Sequence, residues 1–126
     1  MRLLLFTVLS LLYTTNMTLN NAGINKVFLL GEVVLQPTLT QQTDGQGIYY
    51  FPLATQENIQ KNQLPIQHTE QHQIKIAQHQ LNRNAPGLTQ GQLIYLEGKI
   101  KTNASVDENG IKRYQTEIWC SSLRVL

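Results

Sequence analysis

Leu93–Leu126 reads LIYLEGKIKTNASVDENGIKRYQTEIWCSSLRVL, and the reading of this stretch decides the fold. Its first ten residues, Leu93–Thr102, are rich in Ile, Leu and Tyr and predict a strand. Val106–Gly110 (VDENG) collects the Asp, Asn and Gly that turn a chain, and RYQTEIWCSSLRVL from Arg113 predicts a last strand pair. The C-terminal third is therefore read as a β-hairpin that carries Lys99, Lys101, Lys112 and Arg113.

Working outward, Ile24–Leu35 (INKVFLLGEVVL) predicts a first strand that bends at Gly31 and ends before Pro37. Thr40–Gly47 (TQQTDGQG) is a turn cluster with Asp44-Gly45 as its sharpest signal, and a second strand is expected at Ile48–Thr55. Alternation along that strand puts Tyr49, Phe51 and Leu53 on one face and Ile48, Tyr50 and Pro52 on the other, so one face should be core. Gln56–Thr69 contains Pro65 and no apolar period, and is expected to be a long exposed loop. A third strand is expected at His72–Gln78, with Ile74 and Ile76 pointing together, followed by a poor helix at Gln80–Gln90 interrupted by Pro86 and Gly87. The fold class is all-β: five short strands with one short helix between the third and fourth, the order of an OB-fold, a five-stranded Greek-key barrel.

Composition narrows the functions such a scaffold can have. The chain has 126 residues, enough for one domain and one modest core, which excludes a multi-domain enzyme. Charged residues make up only 14% and the formal charge is +2, so a polyanion is a permissible partner but charge alone does not single one out. The lone Cys120 rules out an internal disulfide framework and a cysteine-based zinc site, and is read as a half-buried apolar residue of the last strand. His68 and His72 are four apart, a spacing that presents both rings to one metal only in a helix; this stretch adjoins a strand, so no metal and no cofactor are expected. Glu70, Glu97 and Glu117 suggest no acid–base pair, and no nucleophile is placed beside them.

Residues 1–22 are read as an extension preceding a domain at 23–126. Leu3–Tyr13, after Met1 and Arg2, has the length of a signal-peptide core and is too short to span a bilayer comfortably, so no membrane anchor is expected. A mitochondrial presequence would carry several arginines, and only Arg2 precedes Lys26. The third reading, synthesis starting at Met17 with Met1–Asn16 an upstream artefact or a disordered tail, is preferred.

Five motifs, taken together, carry a resemblance. They are GINKVFLLG at Gly23–Gly31, LATQE at Leu53–Glu57, TEQH at Thr69–His72, GQLIYLEGKI at Gly91–Ile100 and DENGIKRYQTEI at Asp107–Ile118. With this spacing the chain, from about Gly23 to Leu126, resembles the bacterial-type single-stranded DNA-binding (SSB) family. The RYQTEI run resembles bacterial members more than animal mitochondrial ones, which implies a bacterial, nucleoid-associated cytoplasmic location, with the mitochondrion as the alternative. The resemblance implies non-sequence-specific binding of single-stranded DNA in replication, recombination or repair, by a homotetramer or dimer without catalytic chemistry. It also implies four base-stacking aromatics, and at the matching positions stand Ile59, Gln71, Ala77 and Ser105. The chain stops at Leu126, where full-length bacterial relatives carry a linker and an acidic tip, so recruitment of replication proteins by that route is not expected.

The binding residues expected are therefore Lys26, Lys75, Lys99, Lys101, Lys112 and Arg113 for the phosphates, with Tyr50 and Tyr114 as remaining stacking candidates. Lys26 and Lys75 are placed on strands one and three, and Trp119 is read as a core or interface aromatic. The alternative function is an OB-fold assembly or primosomal accessory module that keeps the barrel and the oligomer contacts but has weak or lost affinity for single strands.

Overall fold

The computed structural model describes residues 22–126, so the Leu3–Tyr13 run and Met17 lie outside the described residues. Six strands and one helix follow in order: β1 Val27–Val33, β2 Thr38–Gln41, β3 Gly47–Lys61, β4 Leu64–Ala77, α1 Gln78–Asn84, β5 Leu93–Val106 and β6 Lys112–Val125. The sheet order is β1-β5-β6-β4-β3-β2, and β1 also pairs with β3. Five strands thus close on themselves as the OB-fold barrel expected from the sequence, with the helix between its third and fourth strands. The short β2, which lies after the expected end of strand one and runs into the expected Thr40–Gly47 turn cluster, adds an edge strand to β3.

Alternation explains which side chains fill the barrel. Phe51 and Leu53 of β3, Ile74 and Ile76 of β4, and Ile94 and Leu96 of β5 are completely buried, with Tyr49 packed beside them. On β6, Ile118 and Cys120 face the same core, while α1 contributes Leu81. Burial pushes the Cys120 thiol up to about 12, so at neutral pH it stays protonated as a packing group. The helix ends at Asn84, with Ala85 as its C-cap, because Ala85 precedes Pro86 and a residue preceding proline is driven out of helical backbone. It is shorter than the expected Gln80–Gln90.

Two further expectations are corrected. Gln56–Thr69 is not a loop: β3 and β4 run on as a paired ladder from Ile48↔Ala77 to Lys61↔Leu64. Asn62 and Gln63 make the two-residue reversal with φ of 53° and 63°, the left-handed backbone of a tight hairpin. Nearly all side chains of this arm are exposed, so neither face had to be apolar and no period of two was written into it. The C-terminal strand pair is likewise one continuous strand, β6, antiparallel to β5. Its register slips between Glu97 and Gly98, where Gly98 faces Cys120 and Glu97 faces Ser122, which leaves Ser121 as the extra residue of a bulge.

Gly98 is required at that bulge. A Cβ there would meet the carbonyl of Trp119 and the Cα of Cys120, backbone atoms that cannot turn aside. Gly98→Val should accordingly destabilise the barrel by about 1–3 kcal/mol, the usual penalty of overpacking, as measured by urea denaturation; an unchanged midpoint would show that the bulge has room.

Candidate nucleic-acid interface

The outer face of the barrel is organised by register. Tyr50 of β3 pairs with Lys75 of β4, Lys75 pairs with Trp119 of β6 across the parallel β4–β6 seam, and Trp119 pairs with Lys99 of β5. Directly paired residues point to the same side of a sheet. Aromatic, cation, aromatic and cation therefore stand in one row across four strands, at right angles to them. With neighbouring strands about 4.8 Å apart, the two rings are on the order of 10 Å apart along the row.

Trp119 is the centre of this row. Lys75 Nζ lies 5.7 Å and Lys101 Nζ 5.3 Å from the centroid of its ring, both in cation–π range. Its indole Nε1 is buried and finds no hydrogen-bond acceptor among the described residues. Beyond it, Lys26 and Lys99 line a cavity of about 410 Å³ together with Trp119, Asn25 and Gln80. On the Tyr50 side a second cleft of about 260 Å³ is lined by Thr40, Tyr50, Gln73, Lys75 and Gln115. Tyr50 is 42% exposed, whereas Trp119 is half-buried.

The two lysines over Trp119 differ in freedom. Lys75 Nζ sits 2.6 Å from Glu117 Oε2, and Glu117, only 2% exposed, also accepts a hydrogen bond from Asn103 Nδ2. This buried carboxylate thus joins β4, β5 and β6 and anchors Lys75. Lys101 is in no ion pair among the described residues and is held over the ring by cation–π attraction, about 0.5–1 kcal/mol at an exposed site. A stacked base is worth ~1–3 kcal/mol, so the ring gains more from a base than from the ammonium it would displace.

Of the expected binding residues, the structure brings Tyr50, Lys75, Lys99 and Lys101 to this face, with Lys26 at its border. Lys26 precedes β1 rather than lying on it, and its Nζ is 5.4 Å from the Phe28 ring centroid. Lys112 and Tyr114 are not brought there. Both occupy even positions of β6, on the side opposite Glu117 and Trp119, where Lys112 Nζ lies 5.4 Å over the Tyr114 ring. Arg113 has the right parity but its Nε is bound to Asp107 Oδ2 at 3.0 Å. The Asp107 carboxyl lies below the usual carboxylate range, chiefly because it accepts the Ile111 N–H, with Arg113 and the Asn109 N–H adding to the effect. A carboxylate depressed in the folded state contributes stability above its unfolded pKa and loses it as pH falls through the lowered folded value. Arg113 is thus held at neutral pH. Of the residues at the family's stacking positions, Ile59 lies on the β3–β4 arm, Gln71 and Ala77 lie on β4 on the same face as Lys75, with Ala77 two residues from it, and Ser105 lies near the end of β5.

Trp119, read from the sequence as a core or interface aromatic, stands on the outer face, and the sequence holds a signal for that placement. Counting back evenly from the Asp107–Gly110 turn sets Lys99 opposite Trp119, and alternation with the core residues Ile118 and Cys120 turns the ring outward. His72 hydrogen-bonds Thr55 Oγ1 and His68 pairs with Glu70, so neither shares a ligand set. Among the described residues no group of three or more His, Cys, Asp or Glu could hold a metal ion, and no helix is long and apolar enough to cross a membrane.

A closed five-stranded barrel with one helix between its third and fourth strands defines an OB-fold. The model of the Single-strand binding protein family matches residues 24–126, and the chain belongs to that family. It is 34% identical over 107 residues to Single-stranded DNA-binding protein 1 of Chlorobaculum tepidum, covering 82% of this chain and 65% of the relative. The Single-stranded DNA-binding protein of Bacteroides thetaiotaomicron is 33% identical over 108 residues, covering 82% of this chain and 66% of its own length. The chain thus spans slightly less than two thirds of these relatives. Among solved structures, the Plasmodium falciparum SSB complex with ssDNA superposes with a TM-score of 0.74 at 26% identity, covering 82% of this chain and 96% of that one. The single-stranded DNA-binding protein from Thermus aquaticus, in a deletion mutant, shares the fold with a TM-score of 0.71 at 23% identity, over 82% of this chain and 51% of its own.

The Glu117 anchor makes a thermodynamic prediction. Lys75→Met leaves the buried carboxylate without its cation and should destabilise the fold by about 1–3 kcal/mol, whereas Lys75→Met combined with Glu117→Gln, which keeps the Asn103 contact, should regain most of that loss. Urea denaturation of the two variants measures it; equal losses in both would mean that the pair does not hold the seam.

Proposed function

We propose that this chain binds single-stranded DNA without sequence preference and serves to coat single strands in replication, recombination or repair. The row Tyr50–Lys75–Trp119–Lys99 carries the reading: rings accept any base, and lysines between and beside them follow the phosphates. Family membership and the likeness to an SSB complex with ssDNA support it. The binding set we assign is Tyr50, Lys75, Lys99 and Lys101, with Lys26 at one end; Lys112, Arg113 and Tyr114 serve at most a strand that wraps round the hairpin. The reading includes no catalytic step, since Glu117 is engaged by Lys75 and Asn103 while Glu70 and Glu97 lie against His68 and Tyr95. The bacterial relatives support a place in a bacterial cytoplasm.

We further propose a homodimer or homotetramer. Residues Val27–Gly31 of β1 pair with β5 on one side only, since β1 meets β3 just at Glu32 and Val33. Beside that open edge, Phe28 and Leu30 are 55% and 54% exposed, and the Phe28 ring stacks on Tyr95 with centroids 6.5 Å apart. An unpaired edge flanked by large apolar side chains gains stability by pairing with a second copy. Sedimentation velocity should give a dimer or tetramer for the parent and a monomer for Phe28→Glu; a monomeric parent would contradict this assembly.

Binding itself is tested by titrating labelled oligo-dT at several salt concentrations. With Lys75 already paired to Glu117, the three lysines Lys26, Lys99 and Lys101 on phosphates give a slope of log affinity against log salt of about −2, and Lys99→Glu with Lys101→Glu should abolish binding. No binding at low salt would refute the proposal and leave the assembly module in its place; unchanged affinity in the charge-reversed variant would refute this groove.

A further inference from the structure

The base platforms matching those of the family are replaced in this chain by Ile59, Gln71, Ala77 and Ser105, yet one indole stands where the register converges. Trp119 is flanked by cross-strand lysines on both sides, Lys75 and Lys99, with Lys101 also over its ring. Its N–H finds no acceptor among the described residues, although buried donors are nearly always satisfied. One cavity, lined by Trp119 itself, opens toward Lys26 and Lys99, and a second, lined by Tyr50 and Lys75, lies next along the row. A ring that receives a base is served by these neighbours: cations for the flanking phosphates and open space beside it for the base.

We infer that Trp119 is a nucleobase-stacking site, and that a bound single strand crosses the barrel along Tyr50–Lys75–Trp119–Lys99 instead of following the β3–β4 arm. The inference rests on the proposed binding of single strands and says where the strand lies. Lys75, anchored by Glu117, keeps its place beside the ring as the strand arrives. Lys101 has no such anchor and swings from the ring to a phosphate, which uncovers the face the base occupies. The site is specific for an unpaired strand, because the base edge of a duplex offers no free ring face to an indole.

Trp119 is the single tryptophan of the chain, so its emission reports on this site without labelling. Full-length protein is titrated with oligo-dT while two signals are followed in parallel: anisotropy of a fluorophore on the DNA and emission of the indole. The expected result is a rise in anisotropy with quenching of the indole at the same midpoint. Trp119→Leu should weaken binding about tenfold or more, as loss of one stacked base does, while Trp119→Phe, which keeps a ring, stays within a few-fold of the parent. A rise in anisotropy with unchanged indole emission overturns the inference and leaves single-strand binding standing. Affinity of Trp119→Leu equal to that of the parent does the same. No change in anisotropy at low salt overturns both.

Discussion

The parallel seam between β4 and β6 is the constraint on which the rest depends. Only Ile74↔Ile118 and Lys75↔Trp119 pair across it, yet without it the barrel would be an open sheet. The two pairs divide the work by face. Ile74 and Ile118 bury inward against Phe51 and Leu96, where removal of apolar surface from water supplies the driving force. Lys75 and Trp119 point outward, and beside them Glu117 ties Lys75 to Asn103 of β5. One buried carboxylate thus contributes to closing the barrel and to fixing a cation where a phosphate can meet it. Replacing a buried pair by apolar residues often costs nothing in stability; retaining it here holds Lys75 beside the Trp119 ring, while Lys99 and Lys101 give the outer face its charge.

This arrangement also relates stability to binding. Lys75 cannot leave the seam without exposing Glu117 to loss of its partner, so the row is partly organised before any strand arrives. Preorganisation of this kind reduces the side-chain ordering that binding must otherwise supply. Lys101 has no ion pair among the described residues and lies over the Trp119 ring by cation–π attraction alone.

Much of the barrel was legible in the sequence because one face of each core strand had to be apolar. The alternation of Tyr49, Phe51 and Leu53 against Tyr50, and of Ile74 and Ile76 against Lys75, fixed which side chains face out. The DENG turn likewise fixed the last hairpin. The β3–β4 arm was illegible for the converse reason: with both faces in water, Gln56–Thr69 carries no hydrophobic alternation, and its reversal uses Asn62-Gln63 without a glycine. The site was half legible. Lysines on outward faces could be listed from alternation, but Lys112 and Tyr114 were grouped with them because proximity in sequence conceals that they lie on the other side of β6. A large aromatic in a last strand is usually core; counting from the turn sets Lys99 opposite Trp119, but the Lys75 neighbour across the parallel seam becomes visible only in the structure.

The central claim is a path for the nucleic acid, and residue-resolved photocrosslinking tests it most directly. Oligo-dT carrying 5-bromouracil is irradiated in complex with the protein, and the crosslinked residues are located by tandem mass spectrometry. The account predicts crosslinks at Trp119 and Tyr50. Crosslinks confined to Tyr114, or to Phe28 and Tyr95, would place the strand on another face and contradict it.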